Sequence, residues 1–253
     1  MFVHSFPAQL WGTNCHIVAP ARGEQAVVID PGYDVVETVG DVVRRHGLRP
    51  VAMVLTHGHL DHTWSVTPLA GSYDAACWIH PSDREQLADP GGWLSPGTSE
   101  MLAEMGASFT EPDDVRDLAD GVDLELAGLR FGVRHTPGHT AGSALFTLDD
   151  PTGGRRFAFT GDTLFAGSVG RSDLPGGDPD QLVDSLRRVV LPLDDATEVL
   201  PGHGDATTIG RERATNPFLQ GSFLDGSPGG PPGGVPSRPG PVKDGRPADG
   251  ASA

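Results

Sequence analysis

Lysine is nearly missing from this sequence: of 18 basic residues only Lys243 is a lysine, and the others are arginines. Residues 1–220 therefore leave arginine as the only strong cation for gripping an anionic group. An excess of positive charge is missing too. The formal net charge is −16, whereas a nucleic-acid binder needs a basic face against the phosphates. Nucleic acid is thus not an expected partner. Cysteine is confined to Cys15 and Cys77, without a Cys-x-x-Cys pair. Both lie in apolar runs, so they read as packing residues rather than as a disulfide framework or metal ligands.

Long apolar runs are also missing, and none reaches the roughly 20 residues of a membrane-spanning helix. The first residues lack a basic start followed by an apolar core. The expectation is a soluble, cytoplasmic protein with no membrane partner. A Gly-x-Ser-x-Gly nucleophile elbow is not present either. Hydrophobic content is 37%, and the low value owes much to residues 221–253, where Gly or Pro fills 16 of 33 positions. Such a stretch buries too little apolar surface to offset the entropy of ordering it. We expect one folded domain over 1–220 and a disordered Gly/Pro-rich tail over 221–253.

What the sequence has in abundance is histidine in one place. Residues 56–62 read Thr-His-Gly-His-Leu-Asp-His. Imidazole and carboxylate in this density suit a transition metal such as zinc, iron or manganese. His57 and His59 can converge on one ion because alternate residues of an extended segment point the same way. The apolar run 51–55 precedes them as a buried strand would. Three later segments share this grammar of an apolar run, a glycine and one candidate ligand: Thr136-Pro137-Gly138-His139, Phe159-Thr160-Gly161-Asp162 and Leu200-Pro201-Gly202-His203.

Period-2 and continuous apolar runs predict strands over 2–6, 15–19, 25–30, 51–55, 76–80, 122–126, 129–135, 144–149, 156–160 and 196–200. Helices are predicted over 34–46, 60–70, 82–88, 98–105, 178–189 and 207–214. Strands dominate both halves, which is a mixed α/β (α+β) arrangement rather than a regular βαβ alternation.

In the order and kind of His57, His59, Asp61, His62, His139, Asp162 and His203, the chain resembles the metallo-β-lactamase-fold hydrolases. Gly161-Asp162-Thr163-Leu164-Phe165, Gly170-Arg171-Ser172-Asp173 and Pro201-Gly202-His203-Gly204 are similar to the glyoxalase II (hydroxyacylglutathione hydrolase) group. The run 208–219 looks like the end of its small single-domain members, and the likeness spans roughly residues 2–220. The resemblance implies a four-layer αββα sandwich with a metal site at one edge. It implies two divalent ions, zinc first, with iron or manganese accepted by the same donors. One ion would sit on His57, His59 and His139, the other on Asp61, His62 and His203, with Asp162 between them. Asp61 and Asp162 would thereby take part in catalysis. Full-length glyoxalase II carries a further helical domain that helps hold the thiol; here the Gly/Pro-rich stretch follows Leu219, which implies a reduced grip on glutathione.

A bound dication lowers the pKa of water from about 15.7 toward about 7, so no Ser or Cys nucleophile is needed. The expected reaction is hydrolysis of a small-molecule thioester such as S-lactoylglutathione by metal-activated water. The alternatives are a mononuclear iron persulfide dioxygenase, or another hydrolase of the same fold acting on lactones, phosphoesters or β-lactams. Arg171 is read either as a substrate anchor or as the ion-pair partner of Asp173. Asp30, before Pro31-Gly32, is read either as a turn residue or as the group that orients a ligand histidine. His80 and His135 read as structural, and His16 as a candidate pocket residue.

Overall fold

The computed structural model describes residues 1–105 and 107–225. The first half contains β1 (Phe2–Pro7), β2 (Asn14–Ala19), β3 (Gln25–Ile29), α1 (Val36–His46), β4 (Arg49–Val54), α2 (Leu60–Thr63), α3 (Val66–Tyr73), β5 (Ala76–Ile79), α4 (Pro96–Met105) and β6 (Val115–Asp117). The second half contains β7 (Asp123–Leu126), β8 (Leu129–His135), β9 (Ala144–Asp149), β10 (Arg156–Gly161), α5 (Pro179–Ser185), β11 (Glu198–Pro201), β12 (Thr207–Thr208), α6 (Ile209–Thr215) and α7 (Gly221–Leu224).

Local chemistry accounts for several boundaries. In α1, Val39, Val42 and Val43 share one buried face. Its end falls at Gly47, in the left-handed region at φ 65°. There the N–H groups of Gly47 and Leu48 return to carbonyls of the last turn, and Arg44, Arg45 and His46 complement the helix dipole. The Asp178 carboxylate accepts from the N–H groups of Asp180 and Gln181, with Pro179 next in line, which starts α5.

The strands form two six-stranded sheets, in the order β1-β2-β3-β4-β5-β6 and β12-β11-β10-β9-β8-β7. In the first, β3 to β6 run parallel and β1 to β3 antiparallel; in the second, β7 to β10 form an antiparallel meander and β10 pairs parallel with β11. Side chains alternate across each sheet and create three apolar layers. Val18, Val27, Ile29 and Val54 meet Phe131, Phe146, Phe157 and Phe159 between the sheets. The opposite faces pack on α1 and α3 through Ile17, Val28 and Met53, and on α5 and α6 through Leu145, Ala158 and Val199. This is the expected αββα sandwich.

The ten predicted strands are present, with ends displaced by two residues at most. Two further strands, β6 and β12, have three residues and two. The single helix expected over 60–70 is two, because Ser65 leaves the helical path. Its N–H donates to Pro31 O and its hydroxyl accepts from Val35 N. The segment expected over 82–88 is a 3₁₀ turn, Pro81–Leu87. The helix expected from 207 begins at Ile209, since Thr207 and Thr208 pair with β11 first. Helix α7 buries Leu224 four residues past the domain end expected at 220, and the remainder of the expected tail, 226–253, lies outside the described residues. No helix among the described residues is long and apolar enough to cross a membrane.

The fully buried Phe146, between the sheets, generates one prediction. Phe146→Ala should lower the unfolding free energy by about 3–5 kcal/mol through lost burial and a residual cavity. Val122→Ala, at a position 51% exposed, should change it by less than about 0.5 kcal/mol. Urea titration of both variants checks this.

Candidate metal centre

Four strand ends meet at one edge of the sandwich. His57 and His59 follow β4, His139 follows β8, Asp162 directly follows β10, and His203 follows β11. Asp61 and His62 lie in α2, whose first turn holds them beside the His57–His59 segment. Hydrogen bonds between the loops hold this edge together: Ala144 N donates to Thr56 O, Gly202 N to Gly161 O, and Asn14 N to Gly202 O. The Asn14 amide adds two more, to Pro201 O and Gly204 O. Gly202 is required by proximity, for a Cβ there would lie 2.3 Å from Asp162 Oδ1.

All seven sequence-predicted donors converge. They form the overlapping groups His57–His59–His139, His57–His62–Asp162 and Asp61–His62–His203. His57 Nε2 and His139 Nε2 are 3.2 Å apart, and His62 Nε2 and His203 Nε2 are 3.4 Å apart. His203 Nε2 lies 3.1 Å from Asp61 Oδ2. The Asp162 carboxylate reaches both sides, with Oδ1 3.3 Å from His62 Nε2 and Oδ2 3.5 Å from His139 Nε2.

These spacings fit a metal. Ligand bonds of about 2.0–2.2 Å in a tetrahedron separate neighbouring donor atoms by about 3.3–3.6 Å. Two of the converging atoms, His59 Nε2 and Asp162 Oδ1, are buried and meet no hydrogen-bond partner among the described residues. A buried polar atom left unpaired is costly, and a cation would satisfy both. Three of the opposite ring nitrogens are engaged: His62 Nδ1 with Asp30 Oδ2 at 2.9 Å, His139 Nδ1 with Arg171 O at 2.7 Å, and His57 Nδ1 with Thr56 Oγ1 at 3.1 Å. Each of these three rings thus turns Nε2 toward the centre.

The electrostatics agree. Burial, reinforced by the neighbouring rings, holds His57 well below the usual imidazole range and pushes His59 down to about 3. Burial works to raise Asp61 and Asp162, but His62 and His203 outweigh it and hold both carboxyls far below their usual range. His62 and His203 are raised in turn, burial being overcome by Asp61 and Asp162. Neutral rings and ionised carboxylates are the forms that ligate a divalent ion, and a cation at the cluster would compete with protons for His62 and His203.

Other residues are resolved as follows. Asp30 accepts from Thr56 N, Thr56 Oγ1 and His62 Nδ1, so it touches one of the donor histidines as well as following β3. Arg171 pairs through Nε and Nη2 with Asp173 at 2.6 and 2.8 Å. It nevertheless lines the pocket beside the donors. His16 is buried, bonded to Ser5 Oγ and set edge-on to Phe159, instead of lining that pocket. His80 and His135 stack at 4.1 Å, and His135 Nε2 donates to Ala141 O. Two supporting groups escape a sequence reading: Thr13, whose hydroxyl donates to Asp61 Oδ2 at 2.8 Å, and the buried Asp83. Neither has a motif of its own; a Pro-Ser-Asp-Arg turn reads only as a helix start.

Next to the donors lies a cavity of about 160 Å³ with walls of Trp11, Leu60, Leu94 and Leu174, and with Ser95 and Thr98 also in its lining. Arg171 is the one arginine among the residues lining it.

The family model of the metallo-beta-lactamase superfamily matches residues 8–203. The chain belongs to that superfamily, and its donor set and fold are those of a metal-dependent hydrolase. It is similar to the hydroxyacylglutathione hydrolase GloC of Haemophilus influenzae, 33% identical over 87% of this chain and 98% of that protein. It is also similar to TTHA1623, solved in a di-iron-bound form, at 38% identity and a TM-score of 0.68, over 87% of this chain and 100% of that one. A B3 metallo-beta-lactamase, BLEG-1, shares 33% identity and a TM-score of 0.75 over 87% of this chain and 100% of that one.

Ion counting tests the centre. Metal-loaded wild-type protein is expected to hold two ions per chain. Asp162→Ala should weaken both, since its carboxylate faces both groups, and His203→Ala should weaken one. Elemental analysis after dialysis reads the difference. A single ion in wild-type protein, with His203→Ala binding it unchanged, would exclude two sites.

Proposed function

We propose that the protein hydrolyses acyl thioesters of a small thiol, with S-lactoylglutathione as the reference substrate, at a two-ion centre. His57, His59 and His139 would hold one ion and Asp61, His62 and His203 the other, with Asp162 shared. Two divalent ions so held supply a water that ionises near neutral pH and a Lewis acid for the carbonyl oxygen. Zinc suits the donors, and the di-iron form of a 38% identical relative supports iron equally.

The observation that carries the thioester reading is the make-up of the pocket. Its two acids, Asp61 and Asp162, both belong to the donor groups, with Asp61 Oδ2 3.1 Å from His203 Nε2 and Asp162 Oδ1 3.3 Å from His62 Nε2. Neither is suited to donate a proton to a leaving group. A thiol, with a pKa near 8.5, departs as thiolate without that help, whereas an amine does not. The chain's residues thus have three tasks: Asp30 and the Arg171 carbonyl aim the rings, Thr13 holds Asp61, and the apolar walls exclude water from the acyl group. The similarity to a hydroxyacylglutathione hydrolase supports the same reading.

The pocket walls limit how strongly glutathione itself is gripped. Glutathione carries two carboxylates, and Arg171 is already half committed to Asp173. Selectivity for the glutathione arm is therefore weak, and a smaller thiol serves as well.

Two measurements check this reading. Acyl-thiol substrates should release free thiol without oxygen consumption; stoichiometric oxygen uptake with a persulfide and no thioester cleavage would replace it with a dioxygenase. β-Lactam opening without thioesterase activity would replace it with the chemistry named for BLEG-1. Arg171→Ala should raise KM severalfold for acyl-glutathione and leave kcat within about threefold, because it removes binding common to ground and transition states. A strong glutathione preference that survives this substitution would place the thiol arm elsewhere.

A further inference from the structure

Asp83 lies in the 3₁₀ turn after β5, outside the seven donors and outside the pocket lining. Its side chain is fully buried. Oδ2 accepts from Gly58 N at 2.9 Å and from Thr140 Oγ1 at 2.6 Å, and Oδ1 accepts from Gly142 N at 2.8 Å. Gly58 stands between His57 and His59; Thr140 follows His139. One carboxylate therefore spans the two loops that carry the three histidines of one donor group.

The surrounding chain makes room for it. A Cβ on Gly142 would approach Asp83 Cγ to 2.5 Å, and one on Gly58 would come within 3.0 Å of Asp83 Cβ and 2.8 Å of Asp83 O. Three donors face this group and, among the described residues, no cation pairs with it, which suits an acceptor-only carboxylate and no other side chain of its size. An Asn would turn an NH₂ toward at least one N–H or O–H donor. The other donor group is held by Thr13 on Asp61 and by Asp30 on His62, and Asp30 reaches His57 only through Thr56.

We propose that Asp83 is the positioning residue of the His57–His59–His139 group, setting the distance between its two loops and thereby the affinity of that ion alone. The proposal rests on the two-ion assignment above but not on the identity of the substrate.

Zinc titration of metal-free protein by calorimetry, with cobalt absorption spectra in parallel, tests it without turnover. Asp83→Asn should weaken one ion by at least about tenfold, the range for lost outer support of a ligand, and leave the other within about threefold. Its cobalt spectrum should match that of His57→Ala and differ from that of His203→Ala. Equal weakening of both ions, or of neither, overturns the proposal, as does selective loss of the His203-side ion. Thr140→Val removes one of the three bonds and should show a smaller loss at the same ion, which keeps the test open if Asp83→Asn does not fold. If wild-type protein binds a single ion, the two-ion assignment fails. Asp83→Asn must then weaken that ion where His57→Ala abolishes it, and the proposal is refuted where only His203→Ala does. A protein that binds both ions as expected but cleaves no thioester refutes the substrate and leaves Asp83 standing.

Discussion

Desolvation governs this protein. Five imidazoles and two carboxylates face one another in a cleft where His57, His59, His62 and His139 are all buried. Charges and polar atoms removed from water are destabilising unless each finds a partner. The structure meets that demand from outside the cleft. Asp30 takes three hydrogen bonds, among them the one from His62, and holds a left-handed backbone at φ 50° to do so. Such a conformation is uncommon for a residue with a side chain, and it persists because the surrounding bonds over-determine it. The pairing inside the cleft is left to the histidine and aspartate groups themselves, which is the state a divalent ion would find and reorganise.

Rigidity of the sheets makes this feasible. The donors hang from β4, β8, β10 and β11, and the phenylalanines between the sheets fix how far apart those strand ends lie. Close-packed interiors deform little, so a loop anchored on such strands keeps its end points. The remaining freedom is in the loops, and it is removed by side chains that reach across: Asn14 to the His203 loop, Thr13 to Asp61, Asp83 to the His57 and His139 loops.

Much of this was legible in the order of residues. The strand runs and the seven donors stand out because buried strands are continuous apolar segments and because metal-binding side chains cluster against glycine. What stayed hidden depends on distant partners. Strands β6 and β12 are too short to show a period, and the break at Ser65 arises from bonds to Pro31 and Val35. Asp30 reads in the sequence both as a turn residue and as an orienter of a histidine, and only the fold brings its Oδ2 to 2.9 Å from His62 Nδ1. Asp83 gave no local sign, since its three donors come from Gly58, Thr140 and Gly142, the last two more than fifty residues away in the chain.

Apart from Leu60, which lies between His59 and Asp61, the pocket walls have a different origin from the donors. Trp11, Leu94, Ser95, Thr98 and Leu174 sit on segments that contribute no ligand atom to the cluster. Arg171 touches the centre through its main-chain oxygen, a group that any amino acid provides. Shape and charge of the pocket can therefore drift while the hydrolytic frame stays as it is. A descendant of this chain could acquire a new substrate by exchanging a handful of half-buried side chains, with no intermediate that loses a member of the donor cluster along the way.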